Sequence, residues 1–162
     1  MQPVALPSHR YLDEHNIAYE RRSFSTETEK GAANVANALG YRERQMIKTL
    51  IFEVVDTGEK VLIMVGGDQS AKSGLLKKAL GSRNIRMADP EAVLAFTGYR
   101  IGSIPPFGWQ PEGTRTFLDE ALMQEEVLGV GTGQWGEEIL ISPANLVQVA
   151  HAIVVKLVEE TA

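Results

Sequence analysis

The sequence predicts a mixed α/β (α+β) fold in a single domain, with a mixed, mostly antiparallel sheet of about six or seven strands, curved toward a barrel and flanked by helices. Three observations support this prediction. The chain has 162 residues, which suits one domain with a substantial core. Helical and strand patterns alternate along it without an internal repeat. Its clearest local signal is an antiparallel hairpin over residues 46–65.

The individual elements are predicted from apolar spacing together with capping, stop and turn residues. In the hairpin, residues 46–55 and 60–65 are β-rich, and Asp56-Thr57-Gly58-Glu59 supplies the turn. The first predicted helix is capped by Ser8 and ends near His15. Two more are predicted over residues 32–39 and 71–80, ended by Gly40 and Gly81. A fourth is capped by Asp89, begins with Pro90 and is followed by Gly98, and a short fifth begins at Ser142-Pro143. The other strands are predicted over residues 17–24, 84–88, 114–118, 126–131 and 138–142, with 153–158 a final strand or short helix.

The most informative loop is the one over residues 97–108. It combines three glycines and two prolines with four large apolar side chains. A solvated linker would lack such side chains, and a regular helix or strand would not hold Gly102 and the Pro105-Pro106 pair. The connection over residues 97–113 is also too long for a plain link in a compact domain. We therefore expect a rigid, partly buried loop, which is either a binding element or a structural corner.

Composition narrows the classes of function. The formal net charge of −5 argues against a general nucleic-acid binder, and we expect no binding to DNA. Arg42, Arg44 and Lys48 can still form a local basic patch, as can the cations of residues 72–86. No apolar run approaches the length of a membrane span, and residues 1–7 lack a secretory pattern. We expect a cytoplasmic protein that does not bind membranes.

Neither metal-based nor covalent catalysis is indicated by the residue types present. The chain has no cysteine, which removes disulfides, thiolate chemistry and cysteine-based zinc sites together. His9, His15 and His151 lack the spacing of metal ligands, and His9 and His15 are expected on an exposed first helix. No Gly-x-Ser-x-Gly elbow is present. We therefore expect no metal and no cofactor.

Lys48 is the charged residue with the most suggestive position. Side chains alternate along a strand, so Lys48 shares a face with Leu50 and Phe52. If those two point into the core, Lys48 lies at the mouth of the same cavity and can hold a phosphate or carboxylate. The alternative is a lysine at the exposed start of a strand, extended toward water over its apolar stem.

Two other features have competing interpretations. Asp119 ends an apolar strand, where an aspartate either caps the following helix or accepts a hydrogen bond from a ligand. The glycines at 131, 133 and 136 match a dinucleotide-binding pattern literally. That pattern requires a helix to follow, whereas residues 138–142 are strand-like, so we predict a hairpin turn there.

Landmark residues run in order through almost the whole chain. They are Lys48-Thr49-Leu50, Gly81 with Ala88-Asp89-Pro90-Glu91, Thr97-Gly98-Tyr99 leading into residues 102–108, Phe117-Leu118-Asp119, Gly131 and Gly136 with Glu138-Ile139, and Ser142-Pro143 with Leu146. As an ordered set, covering about residues 10–158, they resemble the YbaK/EbsC-type aminoacyl-tRNA editing family. That family includes the editing domain inserted in some bacterial prolyl-tRNA synthetases.

The resemblance implies one editing domain over residues 1–162 that acts as a trans-acting, metal-independent deacylase. Such an enzyme hydrolyses the ester between a non-cognate amino acid and the 3′-terminal adenosine of a tRNA. The implied substrate is tRNA(Pro) carrying a small amino acid, Cys or Ala. The implied partners are the acceptor end of the aminoacyl-tRNA and, as a second partner, prolyl-tRNA synthetase.

The resemblance also implies a set of site residues. Lys48 and Gly102 are the implied catalytic residues. The implied substrate-binding residues are Phe24, Thr49, Ser103, Ile104, Pro105, Pro106 and Asp119. Pro105 stands where many members have serine, so this loop is expected to be stiffer. Two alternatives remain: a non-catalytic tRNA- or synthetase-binding module on the same fold, and an unrelated small-molecule binding protein with a similar pocket.

Overall fold

Helices and strands alternate through residues 4–159, the part of the chain that the computed structural model describes. The α-helices there are α1 (Pro7–Glu14), α2 (Ala32–Leu39), α3 (Ser73–Leu80), α4 (Pro90–Thr97) and α5 (Pro143–Ala150). The strands are β1 (Glu20–Ser23), β2 (Lys48–Val54), β3 (Glu59–Val65), β4 (Ile85–Met87), β5 (Thr116–Asp119), β6 (Leu128–Gly131), β7 (Glu137–Ile141) and β8 (Ile153–Val155). The predicted domain's first three and last three residues lie outside the described range.

The strands form two sheets rather than one. The smaller sheet has the order β1-β7-β6, and the larger has the order β4-β2-β3-β5-β8. Pairing is antiparallel except for β3 with β5 and β5 with β8, which are parallel. The sheets meet at one bridge between Met46 and Gly129, where the Ile47 amide donates to the Gly129 carbonyl over 2.8 Å. The mixed, mostly antiparallel fold is thus confirmed, whereas a single sheet curved toward a barrel is not.

Most of the predicted turns and caps are confirmed. In the hairpin, β2 pairs with β3 along its whole length: Lys48 lies opposite Val65, and Val54 lies opposite Glu59. Gly40, Gly81 and Gly98 end α2, α3 and α4 in the left-handed conformation that glycine adopts without strain. Asp89 accepts from the Ala92 amide over 2.8 Å, which caps α4 as predicted. The glycines at 131–136 form the turn between β6 and β7, as the hairpin interpretation requires.

Two expectations about the first helix are wrong. Ser8 does not cap it: α1 begins at Pro7, and the Ser8 hydroxyl donates to the Thr132 carbonyl over 2.7 Å. His9 is buried rather than exposed, and its Nδ1 accepts from the Leu6 amide over 2.9 Å. The helix packs against the β6–β7 turn. One face of a helix that the sequence suggests is exposed to solvent is therefore buried.

The core lies on both faces of β3. Leu62 and Met64 join the main apolar cluster, which also contains Ile104 from the loop over residues 97–108. Val61, Ile63 and Val65 point the other way and pack under α3. A strand buried on both faces holds its neighbours in fixed register, which makes the larger sheet a rigid platform. Within residues 4–159, no helix combines the length and apolar character needed to cross a bilayer.

Candidate active site

A cavity of about 360 Å³ opens where the two sheets meet. Its size lies in the range typical of small-molecule sites. Four segments of the described chain supply its walls: the approach to α2, the start of β2, the loop after α4, and the β6–β7 hairpin. The lining residues are Lys30, Gly31, Ala32, Val35, Met46, Ile47, Lys48, Thr49, Leu50, Ile101, Gly102, Ile104, Gly131, Trp135 and Glu138. The walls are mainly apolar, so each polar group among them is conspicuous.

The start of β2 places Lys48 and Thr49 in the cavity wall. Both residues reach the cavity because it lies at the strand's end, where the Met46–Gly129 bridge joins the two sheets. Of the residues that share a strand face with Lys48, Leu50 also lines the cavity, whereas Phe52 does not and packs in the cluster under α3. The Lys48 ammonium forms no ion pair with another described residue; its charge acts on Asp68, but that carboxylate is already paired with Arg44.

The glycine-proline loop contributes Gly102 and Ile104 to the same cavity. Gly102 has a φ of +101°, a conformation that other residues rarely adopt, and a Cβ there would meet no protein atom within 4 Å. The loop is held from behind by the β6–β7 turn, because the Gly133 amide donates to the Ser103 carbonyl over 2.7 Å. A Cβ on Gly131 would approach that carbonyl oxygen to 2.8 Å, so only glycine allows the close contact.

Ser103, Pro105 and Pro106 lie outside the cavity lining. Both prolines are buried, and their carbonyl groups are used within the loop. The Trp109 indole donates to Pro105 over 2.5 Å, and the Gln110 side chain donates to Pro106 over 2.8 Å. These contacts fix the loop's shape, so the prolines' position favours support of Gly102 and Ile104 over direct contact with a ligand.

Glu138 is the cavity group that the sequence interpretation missed. It lies on β7 with only 9% of its surface exposed, and its carboxyl group forms no hydrogen bond with a described residue. Burial raises the pKa of Glu138 to about 8. Strand alternation does not single it out, because Glu137 shares a face with Ile139 and Ile141 and Glu138 shares one with Leu140, and all three apolar residues are buried. A carboxyl group that is neutral near pH 7 in an apolar cavity is a candidate for function.

Trp135 and Lys30 form the outer part of the cavity. The Lys30 ammonium lies 3.8 Å from the centroid of the Trp135 ring. Phe24 is not among the lining residues; it meets the Trp135 ring edge-on at 4.8 Å between centroids. The Phe24 amide also donates to the Gly136 carbonyl over 2.9 Å. The aromatic side chain in the wall is therefore Trp135, and Phe24 supports it from outside.

Asp119 has a structural position away from the cavity. Its carboxylate accepts from the Ala121 amide over 3.1 Å, which confirms the capping interpretation. It also accepts from Leu157 and Val158 over 2.8 and 3.2 Å, which ties the end of β5 to the segment after β8. With 1% of its surface exposed and three donors bound, Asp119 is not positioned to contact a ligand in this cavity.

The charges near the cavity divide into paired and available groups. Arg42 pairs with Glu125, and Arg44 pairs with Asp68 over 2.6 Å, which lowers the pKa of Asp68. These arginines therefore supply little net positive potential. Lys30 and Lys48 are the cavity's own cations among the lining residues. Within residues 4–159, no group of three or more His, Cys, Asp or Glu side chains is arranged to hold a metal ion.

Known proteins resemble this chain in sequence and in structure. The sequence model described as an aminoacyl-tRNA editing domain matches residues 26–149. EbsC of Enterococcus faecalis, provisionally named a Cys-tRNA(Pro)/Cys-tRNA(Cys) deacylase, is 27% identical over 143 residues, which cover 88% of this chain and 86% of that protein. The proline–tRNA ligase of Pelobacter propionicus is 36% identical over 102 residues. Those residues cover 62% of this chain but only 17% of the ligase, so the likeness concerns a small part of that enzyme.

A solved structure shares the whole fold. It is described provisionally as a trans-editing enzyme for prolyl-tRNA synthetase. The two chains superpose with a TM-score of 0.83 at 24% sequence identity, and the match covers 98% of this chain and 100% of the other. At this identity the likeness establishes the arrangement of helices and strands.

Proposed function

We propose that this chain, which belongs to the aminoacyl-tRNA editing domain family, is a trans-acting deacylase that hydrolyses the ester between a wrongly attached amino acid and the 3′-terminal adenosine of a tRNA. The proposed substrate is tRNA(Pro) carrying cysteine or alanine. EbsC is named for Cys-tRNA(Pro), and the similarity extends to part of proline–tRNA ligases. The proposed partners are the acceptor end of the tRNA and prolyl-tRNA synthetase.

The observation that carries this proposal is the meeting of Lys48 and Gly102 in one cavity. The two residues are far apart in the sequence and lie on different elements, a strand and a loop. Their cavity has room for a small acyl group joined to a ribose. An arrangement with the ammonium and the glycine bend on opposite sides of the molecule would have left no common site for an ester.

The proposed reaction needs positioning more than a protein nucleophile. An aminoacyl ester is already activated, so a water molecule can add to its carbonyl carbon. The bond to the ribose oxygen then breaks, and that oxygen takes up a proton to leave as a hydroxyl group. Lys48 would hold the terminal nucleotide or the developing negative charge. The backbone at Gly102 would lie close to the carbonyl group and orient the water. We propose that this chemistry proceeds without a metal.

Glu138 would bind the amino group of the substrate. It is an acidic group in the described cavity lining, and it lacks an internal partner. An ammonium group placed beside it would favour the ionised carboxylate and form a charge-assisted hydrogen bond. The amino acid's side chain would then face the apolar walls formed by Met46 and Ile104.

Selection of the amino acid would depend mainly on the cavity's shape. One methylene group in an apolar pocket changes the binding free energy by only about 1–3 kcal/mol. Rejection of the cognate amino acid therefore requires exclusion by size rather than a small loss of contact. Gly131 and the buried Ile104 are held together too tightly for the wall to yield easily, because the Ser103 backbone contacts Gly131 without space for a Cβ.

Release of amino acids from a panel of charged tRNAs tests this function. We expect the purified protein to release Cys or Ala from tRNA(Pro) faster than Pro, Ser or Thr from their cognate tRNAs. Lys48→Ala should nearly abolish release, because it removes the cavity cation at the start of β2. Lys78→Ala is the matched control, since Lys78 is exposed on α3 outside the cavity.

The outcomes of this experiment separate the competing functions. Unchanged turnover in a folded Lys48→Ala variant removes Lys48 from the mechanism. Binding of charged tRNA without release of the amino acid identifies a non-catalytic binding module. Absence of any tRNA effect on ester turnover favours the third alternative, an unrelated small-molecule binding protein with a similar cavity.

A further inference from the structure

The exposure of the lining residues divides the cavity into an interior and a mouth. Met46, Ile104 and Glu138 are at most 9% exposed and form the interior. Ile101 is 53% exposed, and Lys30 is also exposed, so these side chains stand at the entrance. Trp135 is half-buried beside Lys30. A ligand whose reactive group lies inside would therefore place its next chemical group against Trp135 and Lys30.

Trp135 is held in one orientation before any ligand arrives. The edge-on contact with Phe24 at 4.8 Å restricts the indole ring, and the Phe24–Gly136 hydrogen bond of 2.9 Å fixes the backbone beside it. Trp135 also lines a neighbouring depression together with Gln134 and Glu137, so the ring stands between two concave surfaces. A rigid aromatic partition at a cavity mouth is a surface on which a flat ring can stack at low entropic cost.

We propose that Trp135 and Lys30 bind the terminal adenosine of the tRNA, with the adenine base stacked on the indole ring and the Lys30 ammonium paired with the adjacent phosphate. The inference rests on the proposed function, because it assumes that an aminoacyl ribose occupies the interior. The base is joined directly to that ribose, so it must lie within one nucleoside's length of the ester. The mouth of the same cavity provides an aromatic surface and a cation, Trp135 and Lys30.

The chemistry of the pair suits a nucleotide better than an amino acid side chain. Every base has a flat π-face, and stacking on aromatic residues is a general way of holding single-stranded nucleic acid ends. Lys30 provides a cation on a flexible stem that can move from the indole ring to a phosphate oxygen. Because the net charge of the chain is −5, affinity for the RNA end must come from such local groups.

Tryptophan fluorescence tests the stacking directly and without catalysis. The chain has two tryptophans, Trp109 and Trp135, so Trp135→Phe leaves Trp109 as the control emitter. The probe is an uncharged RNA hairpin ending in CCA, compared with the same hairpin ending in CC. We expect CCA to quench the parent protein and to leave the emission of Trp135→Phe unchanged. We expect the hairpin ending in CC to bind about tenfold more weakly. Equal binding of both hairpins, or equal quenching in both proteins, would overturn the proposal.

Deacylation kinetics provide the second test. Trp135→Leu should raise KM for charged tRNA about tenfold and leave kcat within about twofold, because stacking binds the substrate without touching the ester. Trp135→Phe should restore most of the affinity, and Lys30→Met should raise KM and weaken its dependence on salt. An unchanged KM in a folded Trp135→Leu variant overturns the assignment. If Trp135→Leu does not fold, the hairpin titration decides. Quenching by CCA without any deacylation would instead refute the proposed enzyme activity and leave the nucleotide site standing.

Discussion

Glu138→Gln should make the unliganded protein clearly more stable than the parent at pH 8, with a much smaller difference at pH 5. The parent folds with a carboxyl group in an apolar cavity, where it has no internal partner. Burial raises the pKa of Glu138 from 4.5 to about 8, so folding disfavours the ionised form. Glutamine has nearly the same shape and does not ionise, so the substitution removes the pH dependence that this group contributes.

The sign follows from the protons bound in each state. Between about pH 4.5 and 8, the folded state keeps a proton on Glu138 that the unfolded state has lost. The free energy of unfolding therefore falls as the pH rises through this window. Each unit of pKa difference corresponds to about 1.4 kcal/mol, which sets a ceiling of roughly 5 kcal/mol above pH 8. Water in the cavity and local rearrangement relieve part of this cost, and we expect about 1–3 kcal/mol.

Urea unfolding of both proteins at pH 5, 6, 7 and 8, followed by circular dichroism, measures the difference. Burial lowers the pKa of His9, and this lowers the free energy of unfolding as the pH falls, but it does so equally in both proteins and cancels. Glu137→Gln is the comparison on the same strand: Glu137 pairs with Arg21 and its charge raises the pKa of His9, so its loss should affect the acidic side of the profile and not the rise toward pH 8. Parallel pH profiles for the parent and Glu138→Gln would refute the assignment of a raised pKa to Glu138.

Three further predictions concern the frame of the cavity and its charge. Asp119→Ala should lower the free energy of unfolding by about 2–4 kcal/mol in urea titrations, since it leaves buried amides of the C-terminal segment unpaired; an unchanged midpoint would contradict its structural role. Gly131→Ala should cut the deacylation rate about 100-fold by pushing the Ser103 backbone and the loop out of place, while Gly74→Ala, with open space around its Cβ, should not. The logarithm of kcat/KM should fall with the logarithm of salt concentration with a slope of roughly −1.4, as expected for two phosphate contacts by the cavity lysines; a flat profile would remove that holding role.

Local signals predict the elements of this fold, whereas the pairing between distant strands is beyond them. The Asp89 cap, the Gly40 stop and the β2–β3 hairpin are all confirmed, because each depends on residues that are neighbours in the sequence. Division into two sheets depends on which strands pair, and strand periodicity does not specify the partner. The burial of His9 has the same origin, since it follows from packing of α1 against a turn more than a hundred residues away.

The candidate site shows the same division more sharply. Residue types alone indicate the loop around Gly102, because glycines and prolines are unusual among large apolar side chains. They also indicate the lysine at the start of β2, because an ammonium group is unusual on an apolar strand. Glu138 and Trp135 carry no such mark, since a glutamate in Glu137-Glu138 and a tryptophan in a glycine-rich turn are ordinary in the sequence. The role of Glu138 depends on β7 pairing with β1 and β6, which turns Glu137 toward Arg21 and Glu138 toward the cavity. A shift of one residue in that register would exchange the two carboxylates, leaving the cavity with the residue that now pairs with Arg21. The specificity of the site therefore depends on strand register as much as on residue identity. Comparing Glu137→Gln with Glu138→Gln tests both, because the register decides which of the two carboxyl groups lies in the cavity.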